Sequence, residues 1–260
     1  MKVIVADNYE IMSKEAANAV AAQVKKNPYS VFAFPAGGTP IGFYAELTRM
    51  HKEEGLDFSH ISGFILDEYI GLPKDHESSY RFFIHNKFFN HININPEKIH
   101  VPCGLAKYPE EEADTYERII KGTGGIDFAV LGIGRNGHIG FNEPRTEFGS
   151  RTRPIYLAKR TIEANARFFG GDPDAVPRQA ISMGIRTIMN SREIILLASG
   201  VEKSHAISQT VHGPVTEMLP SSVLQLHPNC TIIVDEDAGS ELKPSPNGFV
   251  PGSGVRTMIY

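Results

Sequence analysis

Short apolar runs alternate with amphipathic stretches along this chain, and that alternation limits the possible folds more than any other feature. VIVA (3–6), VFAFP (31–35), ISGFILDE (61–68), IDFAVLGIG (126–134), EIILLAS (193–199) and TIIVDE (231–236) read as strands. Most are apolar throughout, the pattern of a strand covered on both faces. Between them, NYEIMSKEAANAVAAQVKK (8–26), PIGFYAELTRMHKEEG (40–55), EEEADTYERIIKG (110–122) and VEKSHAISQTVH (201–212) carry helical spacing, with Asp7 or Asn8 placed to cap the first. Strands alternating with helices predict an α/β fold built on a mostly parallel sheet with helices on both faces.

Composition narrows the functional classes. With 260 residues, 41% hydrophobic and 22% charged, the chain suits a single globular domain spanning 1–260. A formal net charge of -4 argues against nucleic-acid partners and anionic membranes, which favour a basic face, yet leaves room for a small anion held by local cations. Cys103 and Cys230 are the two cysteines; they make no disulfide framework and no CxxC pair, which suits a reducing compartment. The start, MKVIVADNYEIM, lacks a signal-peptide core, and no run approaches the roughly eighteen apolar residues of a membrane span, so a cytoplasmic location is expected. KPSPNGFVPGSG (243–254) reads as a C-terminal segment draped over the surface.

Open parallel sheets assemble ligand sites at the carboxyl ends of their strands. FPAGGTPIGFY (34–44) runs from a strand through a glycine pair into a helix beginning near Pro40. Gly37, Gly38 and Thr39 there either cradle a phosphate on backbone amides at the helix N-terminus or simply form a tight turn. ILDEYIGL (65–72) puts Asp67 and Glu68 at a buried strand end, where a carboxylate needs a partner or a task. Side chains alternate along a strand, so one of the two faces the site and the other does not. Asp67 is a candidate for proton transfer; the alternative is that it caps the following turn.

GRNGHIGFNEP (134–144) follows the next strand and holds Asn136, Gly137, His138 and Glu143. A histidine titrates near neutrality, and Glu143 is close enough in sequence to orient it or share its proton. Gly132, Gly134, Gly137 and Gly140 point to a backbone that approaches a ligand closely. The spacing is not a metal-ligand pattern such as HExxH, so a site without metal or cofactor is expected. Arg167, on an expected helix in ANARFFG (164–170), and Lys203, after the strand at 193–199, are cations available to an anionic ligand; each alone also reads as a solvated surface charge.

PAGGTP (35–40), LDEYIGLP (66–73), LGIGRNGHIGFNEP (131–144), SRTR (150–153) and LQLHP (224–228), in that order, resemble the glucosamine-6-phosphate deaminases. The resemblance implies a modified Rossmann-like α/β fold. It also implies conversion of glucosamine 6-phosphate and water to fructose 6-phosphate and ammonia, in amino-sugar catabolism and without a cofactor. By the same likeness Asp67 matches the base that moves a proton between C2 and C1. His138, supported by Glu143 and Asn136, matches the ring-opening catalyst, and Gly37, Gly38, Thr39, Arg167 and Lys203 match phosphate-binding positions. The partner implied is a small sugar phosphate, with the chain either a monomer or a homo-oligomer.

The sequence also departs from the family pattern. Asn136 stands where some members carry Asp, which shifts the support of His138 toward Glu143; an amide orients an imidazole but does not stabilise imidazolium as an anion does. Ala36 replaces a hydroxyl residue of some phosphate loops. In members activated by N-acetylglucosamine 6-phosphate a lysine lies two residues after the arginine that Arg153 matches; here that position is Ile155, so such activation is not expected. The segment from Glu147 to Phe169 is the expected cover of the site. Two rivals remain: a 6-phosphogluconolactonase, disfavoured because IGFNEP follows His138, and a sugar-phosphate sensor, for which no helix-turn-helix precedes the first strand.

Overall fold

The computed structural model describes residues 1–244, 249–252 and 254–260. Its strands are β1 (Lys2–Ala6), β2 (Val31–Phe34), β3 (Ser62–Ile65), β4 (Asp67–Tyr69), β5 (Ile99–His100), β6 (Phe128–Gly132), β7 (Arg153–Tyr156), β8 (Gln179–Ser182), β9 (Glu193–Ala198), β10 (Cys230–Asp235), β11 (Phe249–Gly252) and β12 (Val255–Ile259). The α-helices are α1 (Tyr9–Lys26), α2 (Ile41–Glu54), α3 (Tyr80–Lys87), α4 (Pro109–Gly122), α5 (Lys159–Asn165), α6 (Ile185–Met189) and α7 (Ser204–His212).

Local chemistry sets the helix ends. Asn8 caps α1, its side-chain oxygen accepting the Ile11 amide at 3.0 Å, and Met12, Ala16, Val20 and Val24 fall on the buried face. α4 opens on Pro109 with Glu110, Glu111 and Glu112 in its first turn, where negative charge complements the helix dipole.

Nine strands form one sheet in the order β11-β12-β1-β10-β9-β6-β2-β3-β5, parallel from β1 to β5 and closed at one edge by the antiparallel β12 and β11. Helices cover both faces. α1, α2 and α3 pack on one side with Phe32, Phe34, Phe43 and Phe88, and α4, α6 and α7 pack on the other with Val3, Phe64, Leu131 and Leu196. Phe34 meets Phe88 and Phe89 edge-on at centroid separations of 5.6 and 5.9 Å. Each fully buried phenylalanine contributes about 1.5–3 kcal/mol through lost water contact.

From β2 the chain works outward through β3 to β5, while from β6 it works the other way through β9 to β10. The loops leaving β2 and β6 therefore diverge, and the crevice between them is the topological switch point where open α/β sheets bind ligands.

ISGFILDE is not one strand. At Leu66 the chain changes sheets: its amide donates to the Phe34 carbonyl at 3.2 Å, and its own carbonyl accepts from Met183 N at 2.8 Å. Residues 67–69 then join a three-stranded antiparallel sheet, β4-β8-β7, that the sequence patterns did not reveal. Tyr116 from α4 seals the departure point, its hydroxyl accepting from Ile65 N and donating toward the carbonyl oxygens of Ile65 and His100. The 243–254 segment is also more ordered than expected: Phe249–Gly252 is a strand paired to β12, because β12 covers the outer edge of β1 and its own far edge then offers backbone groups that need partners. Residues 245–248 and 253 of that segment lie outside the described residues.

Candidate active site

Four neighbouring strands, β9, β6, β2 and β3, deliver their carboxyl-end loops to one crevice. After β2 the loop holds Gly37, Gly38 and Thr39. Gly37 has φ +109°, a left-handed conformation that a side chain resists, and nothing lies within 4 Å of where a β-carbon would stand at Gly37 or Gly38. The loop thus exposes bare backbone at the start of α2. Two tyrosines hold its shape: Tyr44 donates to the Pro35 carbonyl at 2.5 Å, and Tyr9 donates to the Thr39 carbonyl at 3.0 Å while accepting from Gly42 N at 2.8 Å.

At the sheet change Asp67 and Glu68 diverge as strand alternation requires. Glu68 turns away and accepts the amides of Tyr69, Tyr80 and Arg81 at 2.8, 3.0 and 2.9 Å, so Glu68, not Asp67, serves the local turn and the first residues of α3. Asp67 points toward the loop after β6. Its Oδ1 accepts from Phe141 N at 3.1 Å and from the Ser182 hydroxyl. Burial pushes the Asp67 carboxyl up to about 6, against the lowering effects of Ser182, the Phe141 amide and His138.

After β6 the loop folds back on itself. A β-carbon at Gly134 would stand 2.4 Å from the His138 ring, so the close approach of the imidazole demands glycine there. Gly137 turns the chain, its amide donating to the Gly134 carbonyl at 3.0 Å and its carbonyl accepting from Ser221 N at 2.9 Å. His138 Nδ1 lies 3.3 Å from Glu143 Oε1, a short electrostatic contact that does not meet full hydrogen-bond geometry. Glu143 Oε1 also accepts from the Thr161 hydroxyl, and Oε2 accepts from Asn136 Nδ2 at 2.6 Å. Burial raises the Glu143 carboxyl, but His138, Thr161 and Asn136 together outweigh it and hold the group below its ordinary value. Asn136 therefore braces Glu143 and, through Oδ1, the His138 amide at 3.3 Å; it does not touch the imidazole itself.

Lys203 closes a short turn after β9, immediately before α7, and its side chain leaves the helix to donate from Nζ to the Ile133 carbonyl at 2.8 Å. Burial, reinforced by Arg135 and Arg167, lowers its ammonium to about 8, with Glu202 opposing and Arg160 adding a further small push. Arg167 sits not on an α-helix but in a single 3-10 turn after α5, exposed, its guanidinium 4.7 Å above the Phe168 ring. Exposed Arg135 pairs with Glu202. The result is a positive region at the start of the loop after β6 in an otherwise acidic protein.

The 147–169 segment divides in two. Thr152 at the entrance to β7 is fixed to α4, its amide donating to Glu117 Oε1 at 2.9 Å. α5 and the turn after it reach the site, bringing Thr161 to Glu143, Asn165 Nδ2 to the Tyr69 hydroxyl at 2.9 Å, and the Phe168 carbonyl to Ser78 Oγ at 2.8 Å. Thr161, Ser182, Arg135 and Arg160 were not singled out from sequence. Arg135 lies inside the GRNGHIGFNEP motif without a recognisable role there, the other three belong to no motif, and Ser182 meets Asp67 only through strand pairing across 115 positions. Among the described residues no group of three or more His, Cys, Asp or Glu side chains is arranged to hold a metal ion, and no helix is long and apolar enough to cross a membrane.

This geometry agrees with what the chain is similar to. A protein described as glucosamine-6-phosphate deaminase from Thermoanaerobacter pseudethanolicus is 49% identical over 240 residues, 92% of this chain and 94% of that one. Glucosamine-6-phosphate deaminase 2 of Bacillus subtilis is 47% identical over 244 residues, covering 94% of this chain and 98% of its own. A solved structure described as a monomeric glucosamine-6-phosphate deaminase superposes with a TM-score of 0.91 at 43% identity, covering 93% of this chain and all (100%) of that one. A 6-phosphogluconolactonase from Trypanosoma cruzi, 20% identical with a TM-score of 0.72 over 93% of this chain and 96% of its own, shares the fold. The model of the family described as glucosamine-6-phosphate isomerases/6-phosphogluconolactonase matches residues 7–233, and to that family this chain belongs.

Proposed function

We propose that the protein converts D-glucosamine 6-phosphate and water to D-fructose 6-phosphate and ammonia. The observation that carries this reading is a buried carboxylate, Asp67, directed at the same loop that holds His138 against Glu143, with a glycine loop and cations beside them. Relatives near half-identity that bear the deaminase name support it.

The chemistry follows from the groups. Bare amides of Gly37 and Gly38, the Thr39 hydroxyl, Arg167 and Lys203 bind the phosphate dianion, the donor set such an anion requires. His138 removes the proton from the anomeric hydroxyl and returns one to the ring oxygen, opening the pyranose; Glu143 stabilises the transient imidazolium, with Asn136 and Thr161 fixing the carboxylate. Asp67 then takes the C2 proton, leaving an enolamine, and delivers a proton to C1, which yields a ketimine at C2. Water adds there and the carbinolamine expels ammonia. No electron leaves the substrate at any step, so no redox carrier takes part. A carboxyl titrating near 6 is ionised at neutral pH yet basic enough to hold the proton between the two carbons.

The protein acts on a free sugar phosphate in the cytoplasm, and as a monomer, in line with the solved relative described as monomeric. The test is ammonia release from purified protein given glucosamine 6-phosphate, beside Asp67→Asn, His138→Gln and Glu143→Gln. Turnover lost in Asp67→Asn and reduced about 10²–10⁴-fold in the other two supports the assignment. Hydrolysis of 6-phosphogluconolactone with no ammonia would move the protein to the other branch of its family.

A further inference from the structure

Asp67 and Ser182 are register partners in the antiparallel pair β4–β8, which puts their side chains on the same face of the small sheet. Ser182 is fully buried and its hydroxyl donates to Asp67 Oδ1. The direction of that bond is forced. Phe141 N donates to Ser182 Oγ at 3.0 Å and to Asp67 Oδ1 at 3.1 Å, so the serine oxygen already accepts, and the carboxylate is the acceptor its own proton reaches. Oδ1 thus carries two donors from protein, while among the described residues Oδ2 is given none.

We propose that Ser182 is a positioning residue that saturates Oδ1 of Asp67, leaving Oδ2 as the one oxygen that takes up and returns the substrate proton. The proposal rests on the reading of Asp67 as the C2–C1 base. A proton abstracted from carbon settles on Oδ2, because Oδ1 already accepts two bonds that protonation would break. It then faces C1 rather than a path into the protein, since Ser182 is sealed from water and already donating. Catalysis on a carboxylate whose two oxygens were equally free would divide the proton between a productive and an unproductive position.

The groups facing Asp67 from the elements around it are His138 on the catalytic loop, Glu68 in its own strand, and the phenols of Tyr69, Tyr80 and Tyr116, whose acidities burial suppresses. His138 favours the ionised carboxyl and Glu68 opposes it. None of them replaces the serine proton on Oδ1.

The experiment compares wild type, Ser182→Ala, Ser182→Thr and Ser182→Cys by kcat, KM and the pH dependence of kcat/KM, with C2-deuterated substrate used to follow the fraction of label found at C1 of the product. Removing a hydrogen bond to a charged group is expected to lower kcat of Ser182→Ala about tenfold or more, with KM within about twofold. Its acid limb moves upward by about one pH unit, and the label retained at C1 falls. Ser182→Thr, which keeps the hydroxyl, restores the wild-type limb and retention; Ser182→Cys, a weaker donor of similar size, falls between, and reports even if the alanine variant does not fold. An unmoved acid limb and unchanged retention in Ser182→Ala or Ser182→Cys overturns the proposal, as does an equal defect in Ser182→Thr, which would mark the position as packing alone. A wild type that releases no ammonia overturns the functional reading itself and is seen before any variant is compared.

Discussion

Nη1 of Arg153 donates to Oδ1 of Asn142 at 3.0 Å, tying β7 to the residue that stands between Phe141, whose amide holds Asp67, and Glu143, which holds His138. Asn142 spends its own amide protons on the Ile139 and Met183 carbonyls at 2.8 Å each and is fully buried, so among the described residues Arg153 alone donates to that oxygen. Replacing Arg153 with Met keeps the aliphatic length and removes the donor. The expected cost is about 1–3 kcal/mol of stability, the penalty of an unsatisfied buried acceptor, together with a lower kcat at little-changed KM. Thermal unfolding and steady-state kinetics on the same preparation check both.

Two residues further along β7, Ile155 packs beside Leu157 and Phe169 in the small apolar cluster under α5. An aliphatic side chain offers no charge to a second phosphate. N-acetylglucosamine 6-phosphate is therefore expected to leave the substrate saturation curve hyperbolic and its midpoint unmoved, apart from competition at the active site at high concentration. A leftward shift on adding that sugar would show that another cation does the work of the missing lysine.

Asp67 makes the folded protein hold a proton more tightly than the unfolded chain does, since its carboxyl rises from 3.8 to about 6. A raised folded value favours the native state fully below the unfolded value, and the advantage is lost as pH climbs through about 6. Above that the ionised, buried group costs on the order of 2–3 kcal/mol, at 1.36 kcal/mol per unit. Asp67→Asn keeps an acceptor oxygen for Ser182 and Phe141 but carries no charge. It is expected to be inactive yet more stable than wild type by about 1–3 kcal/mol at pH 8, with the gap closing toward about pH 4. Denaturant unfolding at the two pH values reads the difference.

Lys203 titrates near 8 in the free protein because burial and two arginines disfavour its charge. Below that value it is ready to meet a phosphate; above it the protein must first recapture a proton. KM for the sugar phosphate is expected to climb as pH rises past 8 while kcat changes less. Lys203→Arg, whose guanidinium stays protonated, should flatten that climb even if its larger head raises KM overall. A KM profile equally flat in wild type would remove Lys203 from phosphate binding.

The parallel core was legible because each of its strands is a short run that must be apolar on both faces, and the helices between them carry one apolar face each. The small sheet was not. Its strands, DEY, RPIY and QAIS, are three or four residues long and mix polar with apolar positions, so nothing local distinguishes them from loop. The same reason hid the break at Leu66: its apolar side chain continues the pattern of β3 while its backbone bonds to two different sheets. Asp67, His138 and Glu143 stood out because carboxylates and a histidine at apolar strand ends demand a reason, whereas Ser182 and Thr161 are small hydroxyl residues that sequence alone treats as ordinary.

By itself the sequence determined the layered α/β architecture, the crevice at the carboxyl ends of β2, β3 and β6, and the chemical types gathered there, because hydrophobic periodicity and glycine placement act over a few neighbouring residues. Tertiary structure decided that both donors to Asp67 fall on Oδ1, that Asn136 braces Glu143 rather than the imidazole, and that Arg135, Arg160, Arg167 and Lys203 form one positive region. Those outcomes depend on distances between residues far apart in the chain, and on how much water burial removes from each charge, neither of which is written in any local pattern.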